Sequence, residues 1–130
     1  MLLFALHIGC SKSLSNADYI GDESITNIDQ IELTWYGVTT IRLQFGDTTW
    51  LLDPFFSRPQ GGALESNEIG IQYMQAHVGP KVDRIFIGHS HYDHILDAKS
   101  ASALYDAPVY GSPTTCFLMG EHNCQIVHQG

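Results

Sequence analysis

The chain has 130 residues, of which 44% are hydrophobic and 15% are charged, and its formal net charge at pH 7 is −8. This composition is typical of a single globular domain and argues against a disordered chain. The Lys and Arg residues are few and scattered. We therefore expect no nucleic-acid partner, because such binding depends on clustered positive charge.

Residues 1–10 form a short apolar start that ends in Gly9-Cys10. A small residue before a cysteine is typical of a bacterial lipoprotein signal, although no Lys or Arg precedes the apolar run. We expect the remnant of such a signal, with a membrane tether through Cys10 and a location in the cell envelope. An ordinary N-terminus and a cytoplasmic location are the alternative. Residues 11–30 are rich in Ser, Asn and Asp and predict a linker.

Three short strands are predicted after this linker. Hydrophobic and polar residues alternate over residues 31–36 and 41–45, which is the pattern of half-buried strands. Gly46-Asp47 suits a two-residue hairpin turn, and residues 48–52 form a third strand that Asp53-Pro54 ends. This part of the chain therefore predicts antiparallel hairpins.

A loop and a short helix are predicted next. Residues 55–70 contain Pro59, Gly61 and Gly62 and predict the loop. Ile71, Met74 and Val78 fall at helical spacing, which predicts a helix over residues 70–77. His77 lies beside this apolar stripe, and we interpret it as structural rather than as a ligand.

Four side chains that can bind metal fall within six consecutive positions after the predicted strand 85–87: His89, His91, Asp93 and His94. If the chain stays extended after Gly88, the first two histidines point to the same side, because strand side chains repeat every second residue. Asp93 suits the N-cap of a predicted helix over residues 95–104. A strand end that meets a helix start is where open α/β sheets place their sites. The cluster therefore predicts a metal site.

A strand, a helix and a final strand complete the predicted order. They cover residues 107–111, residues 113–119 with Ser112 as N-cap, and residues 125–128. Strands joined through helices imply right-handed crossovers and a parallel part of the sheet. Cys116 and Cys124 could pair, but we interpret them as small core or surface residues.

The His-x-His-x-Asp-His pattern of His89, His91, Asp93 and His94 resembles the signature of the metallo-β-lactamase superfamily. The segment Leu51-Leu52-Asp53-Pro54 resembles the form found in one branch of that superfamily, which contains ascorbate-phosphate lactonase-like and lipid phosphodiesterase-like members. The resemblance covers residues 31–130. It implies an α/β fold, the N-terminal half of a four-layer αβ/βα sandwich, in which antiparallel hairpins lead into a mixed sheet.

The same resemblance implies a hydrolase that uses metal-activated water to cleave an ester, lactone or phosphodiester bond of a small-molecule or lipid-like substrate. His89 and His91 would bind one divalent ion and Asp93 and His94 a second. Zn²⁺ is the first choice, with Fe and Mn as alternatives. Asp93 would also be the catalytic residue. Asp53 would hold one of the ligands in place, or else be a simple turn residue.

In this family the remaining ligands lie in the second half of the fold, and neither His122 nor His128 matches their positions. We therefore expect weak metal binding by this chain alone. The alternatives to a hydrolase are a truncated, catalytically inactive fragment and a metal-binding protein of the cell envelope. A sheet face without its partner sheet would be apolar, so we also expect self-association through this exposed face.

Overall fold

The computed structural model describes residues 30–59, 64–120 and 123–128. The described strands form one sheet in which neighbours follow chain order: β1 (Ile31–Gly37), β2 (Thr40–Phe45), β3 (Thr48–Leu52), β4 (Arg84–Phe86), β5 (Val109–Gly111) and β6 (Cys124–Ile126). The described helices are α1 (Glu68–Val78), α2 (Tyr92–Ile95), α3 (Ala98–Tyr105) and α4 (Pro113–Met119). Among these helices, none has the length and apolar character needed to cross a bilayer. The predicted lipoprotein signal with Cys10, all but the last residue of the predicted linker, and His122 lie outside the described residues.

The sheet changes from antiparallel to parallel in its middle. β1, β2 and β3 pair antiparallel, whereas β4, β5 and β6 each join the preceding strand in parallel. This arrangement confirms the prediction of antiparallel hairpins that lead into a mixed sheet. The carboxyl ends of β3, β4 and β5 lie at one edge of the sheet, where open α/β sheets place ligands. We call this the site edge; Asp53 and Ser112 directly follow β3 and β5 there, and Gly88 follows β4 by two residues.

Most predicted boundaries lie within two residues of the observed ones. β3 and α4 match the prediction, and the Ser112 side chain caps α4 by accepting from the Thr115 N–H group (3.1 Å). α1 begins at Glu68, earlier than predicted, because the Asn67 side chain accepts from the Gly70 N–H group (2.9 Å) and caps the helix there.

The predicted continuous helix over residues 95–104, with Asp93 as its N-cap, is wrong. The chain forms α2 and α3 instead, and Asp93 lies in the first turn of α2. Asp97 lies between the two helices. Its carboxylate accepts from two backbone N–H groups of the loop after β3 (both 2.7 Å). An aspartate held in this way by another segment favours a break over a continuous helix.

The two faces of the sheet differ in what packs against them. Leu51, Ile85 and Val109 are fully buried and form one core with side chains of α1, α3 and α4; we call this side the covered face. The alternate residues of each strand point to the opposite side. We call that side the open face, and none of its apolar strand residues belongs to the helix-packed core: Ile31, Leu33, Trp35, Ile41, Leu43, Phe45, Trp50, Leu52, Phe86 and Tyr110.

Cys116 and Cys124 form a disulfide that joins α4 to β6. Their interpretation as small core or surface residues is therefore wrong. The parallel pairing of β6 with β5 brings Cys124 beside α4, and the two Cα atoms are 5.4 Å apart, within the usual range for a disulfide. This proximity depends on the sheet topology, which the cysteine spacing alone does not reveal.

Candidate metal centre

Three histidine rings meet at the site edge, directly after β4. The Ile87 N–H group donates to the Tyr110 carbonyl oxygen (2.9 Å), so the chain stays beside β5 for one residue beyond the strand. The ring centroids of His89 and His91 are 4.1 Å apart, and those of His89 and His94 are 5.4 Å apart. His89 and His91 are both exposed, so no apolar packing seals the cluster.

Asp53 connects the two parts of this cluster. Its Oδ1 accepts from the Gly88 N–H group (2.7 Å), and its Oδ2 lies 3.0 Å from His94 Nδ1. The same carboxylate thus orients the turn that leads into the ligand segment and one of the predicted ligands. The side chains of Asp53 and His94 are only 16% and 21% exposed, so solvent screens their contact weakly.

Thr40 holds Asp53 in an unusual backbone conformation. Asp53 has a φ of +46°, in the left-handed region that costs free energy for a residue with a side chain. The fully buried Thr40 hydroxyl donates to the Asp53 carbonyl oxygen and accepts from the Phe55 N–H group (both 2.9 Å). The turn that aims the Asp53 carboxylate is therefore fixed from β2.

The second ring nitrogen of His94 faces Asp93. His94 Nε2 lies 3.8 Å from Asp93 Oδ2. Two atoms that each lie about 2.0–2.2 Å from one zinc ion are separated by at most about 4.4 Å, so this pair fits a shared ion. A carboxylate on the other ring nitrogen, here Asp53, is the usual way in which proteins orient a metal-binding histidine.

The described residues do not form a complete metal-binding group. Within residues 30–59, 64–120 and 123–128, no three or more His, Cys, Asp and Glu side chains are arranged as a metal-binding group. A catalytic zinc usually has three protein ligands and one open position. The donor atoms therefore fit a divalent ion chemically, but the described residues bring together too few of them for a complete catalytic site.

Three contacts that the sequence analysis missed support the ligand segment. The Thr39 hydroxyl donates to the Asp93 carbonyl oxygen (2.6 Å) and so ties α2 to the turn between β1 and β2. Ser90 Oγ lies 3.2 Å from Ser112 Oγ and 2.9 Å from Thr115 Oγ1, at the start of α4. No local pattern indicates these contacts, because their partners are between 22 and 54 residues apart in sequence.

The other two described histidines lie in different surroundings. His77 Nδ1 is 2.9 Å from the Tyr73 carbonyl oxygen, and its ring stacks on the Tyr73 ring at 3.9 Å, which agrees with a structural role. His128 lines a cavity of about 600 Å³ at the site edge. Asp53, Phe86 and Tyr110 line the same cavity, so it adjoins the ligand cluster on the side of the open face.

The sequence of this chain is similar to a protein-family model and to proteins named metal-dependent hydrolases. A family model described as the metallo-beta-lactamase superfamily matches residues 33–122. The chain is 36% identical over 70 residues to a UPF0173 metal-dependent hydrolase of Christiangramia forsetii, covering 54% of this chain and 27% of that protein. It is also 36% identical over 83 residues to a UPF0173 metal-dependent hydrolase of Haloquadratum walsbyi, covering 64% and 29%. The chain thus spans less than a third of the length of these relatives.

A solved structure shares the fold. Igni18, a metallo hydrolase from the hyperthermophilic archaeon Ignicoccus hospitalis, superimposes with a TM-score of 0.57 at 19% sequence identity. The superposition covers 77% of this chain and 40% of that one. At 19% sequence identity, this likeness shows a shared fold and nothing more.

Proposed function

The chain belongs to the metallo-β-lactamase superfamily, and from this premise we propose that it supplies metal ligands of a metal-dependent hydrolase. The assigned ligands are His89, His91, Asp93 and His94. The observation that carries the proposal is the position of the His94 ring, with Asp53 at 3.0 Å from one nitrogen and Asp93 at 3.8 Å from the other.

Our assignment uses two divalent ions, one bound by His89 and His91 and one by Asp93 and His94. Zinc is the first choice, and the same nitrogen and carboxylate ligands suit iron and manganese. The relatives are named metal-dependent hydrolases, which supports a metal ion without specifying which one.

When bound, such an ion lowers the pKa of a coordinated water and stabilises negative charge that develops on the substrate. The chain's own residues prepare this chemistry. Asp53 keeps the proton of His94 on Nδ1, so that Nε2 presents its lone pair on the opposite side. Asp93 Oδ2 lies on that side, where it orients the attacking water and can carry a proton to the leaving group.

The bond that we propose is an ester, lactone or phosphodiester in a small-molecule or lipid-like substrate. The cavity beside Asp53 has aromatic and aliphatic walls, which include Phe86, Tyr110 and Val127. Mostly apolar walls with a few polar groups are typical of sites for small organic ligands. An apolar portion of the substrate would lie in this cavity, with the reacting group toward the ligand cluster.

Zinc titration of the purified chain by calorimetry tests the metal assignment. We expect an affinity weaker than nanomolar, because the described ligands come in pairs, and we expect Asp93→Asn to weaken it further. Asp106→Asn is the matched control, since it makes the same change at an exposed position at the end of α3. Nanomolar affinity in a monomer would contradict the paired site. Unchanged binding in Asp93→Asn would remove that residue from it.

A second candidate function is metal binding without turnover, as an inactive fragment or a metal-binding protein of the cell envelope. The geometry of the described residues favours it, because they bring together no group of three ligands, the number that a catalytic zinc usually needs. Chromogenic esters, lactones and phosphodiesters, offered to the zinc-loaded chain, separate the candidates. Hydrolysis that Asp93→Asn abolishes supports the hydrolase, and zinc binding without any hydrolysis supports the second candidate.

A location in the cell envelope with a tether through Cys10 is a further part of the proposal. Disulfides persist in oxidising compartments and are rare in the cytosol, so the Cys116–Cys124 disulfide supports export. Metabolic labelling with a fatty acid tests the tether. We expect a labelled envelope protein and no label in Cys10→Ser, whereas an unlabelled cytosolic protein would contradict the tether and the location.

We also propose that the open face binds a second copy of this chain. Its described strand positions are apolar except for Thr48, Arg84 and Gln125. None of these described positions carries a carboxylate, so two open faces can meet without repulsion between carboxylates. On β1, three apolar side chains are 51%, 41% and 66% exposed, a patch that favours association: Ile31, Leu33 and Trp35.

A further inference from the structure

Asp97 is a fully buried carboxylate that is not among the assigned metal ligands. Its Oδ2 accepts from the N–H groups of Phe56 and Ser57 (both 2.7 Å). Its Oδ1 accepts from the hydroxyl groups of Ser57 and Ser66 (both 2.6 Å). A carboxylate is tolerated in a protein interior when its oxygens are satisfied in this way, and such bonds are stronger than those between neutral groups.

These bonds join the two segments that carry Asp53 and His94. The loop after β3 begins with Asp53, and the junction between α2 and α3 follows His94 by one helical turn. The backbone adds a further bond between the segments, because the Asp97 N–H group donates to the Pro54 carbonyl oxygen (3.2 Å). The same junction therefore holds the loop both through its side chain and through its backbone.

We propose that Asp97 is a positioning residue of the metal centre, which sets the contact between Asp53 and His94 by fixing the loop after β3 against the α2–α3 junction. Its link to metal binding rests on the proposed function, whereas its link to the Asp53–His94 contact does not. Asp53 has a positive φ, so its own conformational preference does not hold it in place. Thr40 anchors its carbonyl side from β2, and the Asp97 bonds anchor the residues that follow.

The packing of Ser57 leaves the loop little freedom to find another position. Ser57 is fully buried, and its hydroxyl also accepts from the Asn67 N–H group (2.9 Å). A Cβ atom added at Gly70 would overlap with Ser57 Oγ, so α1 approaches the loop too closely for any side chain there. Because α1 blocks one direction, the bonds to Asp97 determine how the loop lies relative to the ligand segment.

Asp97→Asn in the complete chain tests this role. Asparagine has nearly the same shape, but one carboxylate oxygen becomes an NH₂ group that faces hydrogen-bond donors. We expect the Asp53–His94 contact to loosen. NMR of ¹⁵N-labelled histidine rings in the metal-free protein reports which nitrogen carries the proton. We expect a single Nδ1–H form of His94 in the wild type and a mixture of both tautomers in Asp97→Asn.

Two further variants keep the test decisive. Asp106→Asn makes the same chemical change at the exposed end of α3, and we expect a wild-type His94 spectrum. Ser66→Ala removes one of the four bonds from a partly exposed position, and we expect a smaller shift in the direction of Asp97→Asn. If Asp97→Asn folds, a wild-type His94 spectrum in it overturns the proposal. If it does not fold, the same result in Ser66→Ala does so.

Zinc titration of the same variants links the role to the proposed function. We expect the dissociation constant to rise about tenfold in Asp97→Asn, the low end of the range for residues that orient a metal ligand, because Asp97 acts through Asp53. The constant should stay unchanged in Asp106→Asn. If the wild type binds no zinc, the proposed function fails, whereas the histidine spectra still decide whether Asp97 sets the Asp53–His94 contact.

Discussion

The covered face and the open face belong to the same strands, yet similar side chains have different surroundings on them. Leu51 on the covered face is fully buried, whereas Leu33 on the open face is 41% exposed. Trp50 and Phe86 on the open face contact each other at 4.9 Å between ring centroids but remain partly exposed. Alternation of hydrophobic residues therefore determines the side to which a residue points, and it does not determine what covers that side.

The candidate metal centre lies where the two faces meet, and the covered side supplies most of its support. Thr40 belongs to the covered side of β2, and Asp97 lies between two helices of that side. The cavity beside the cluster is lined by Phe86 and Tyr110 of the open face. The support of the assigned ligands thus comes from the covered side, whereas the cavity beside Asp53 lies on the side of the open face. This is the arrangement that a binding site needs.

The largest effect on stability should come from replacing a leucine by alanine on each of the two faces in turn. We expect Leu51→Ala to lower the free energy of unfolding by about 2–5 kcal/mol, because it leaves a cavity in the packed core. Leu33→Ala should cost less than about 1 kcal/mol, as a partly exposed position. Urea denaturation of the monomer measures both. Equal losses in the monomer would contradict the difference in packing between the covered face and the open face.

Asp53→Asn tests how much the ligand cluster depends on its support. Asparagine tolerates the positive φ of Asp53, but its amide cannot accept in both of the positions that the carboxylate occupies. We expect zinc affinity to fall about 10–100-fold, the usual cost of losing a group that orients a metal ligand. Asp47→Asn, in the exposed turn before β3, is the control. Equal zinc affinity in the two variants would mean that Asp53 is a simple turn residue and does not orient a metal ligand.

Sequence reasoning could predict the elements that depend on local pattern. The alternation in β1 to β3, the Ser112 cap of α4 and the histidine spacing after β4 are all visible within a few residues. It could not predict contacts between distant segments. The local pattern places Asp97 inside a helix, because its hydrogen-bond partners are about 40 residues away in sequence. The disulfide likewise depends on β6 lying beside β5. The aspartate in the interior of the predicted helix is the local feature that indicates a break, because this residue type favours helix ends and breaks.

Trp35→Ala tests the open face as a contact between copies. Trp35 is 66% exposed in the single chain, and large aromatic residues dominate the binding energy of many interfaces. We expect the dissociation constant for self-association to rise by about tenfold, the loss of about 1.4 kcal/mol. Analytical ultracentrifugation measures it, and Thr34→Ala, on the other side of the same strand, should leave it unchanged. A wild type that remains monomeric at every concentration would contradict the proposal.

The smallest effect should come from Asp83, which lies just before β4 at the end of the sheet opposite the site edge. Burial acts to raise its pKa, but the Lys81 ammonium and the Thr49 N–H group (both 2.8 Å) outweigh it, so the pKa of Asp83 lies below its usual value. A lowered pKa stabilises the fold above the pKa of the unfolded chain, and this stabilisation is lost as the pH falls through the folded value.

Asp83→Asn should therefore cost at most about 1 kcal/mol at pH 7, since the Lys81 side chain is 59% exposed and solvent screens the ion pair. The difference from the wild type should shrink as the pH falls below about 3.9, where the wild-type carboxylate also becomes neutral in the unfolded chain. Urea denaturation at pH 7 and pH 3 measures this change. A loss of unfolding free energy as large as that of Leu51→Ala would contradict this ranking. Polar contacts at the end of the sheet opposite the site edge would then stabilise the sheet as much as the packed core of the covered face.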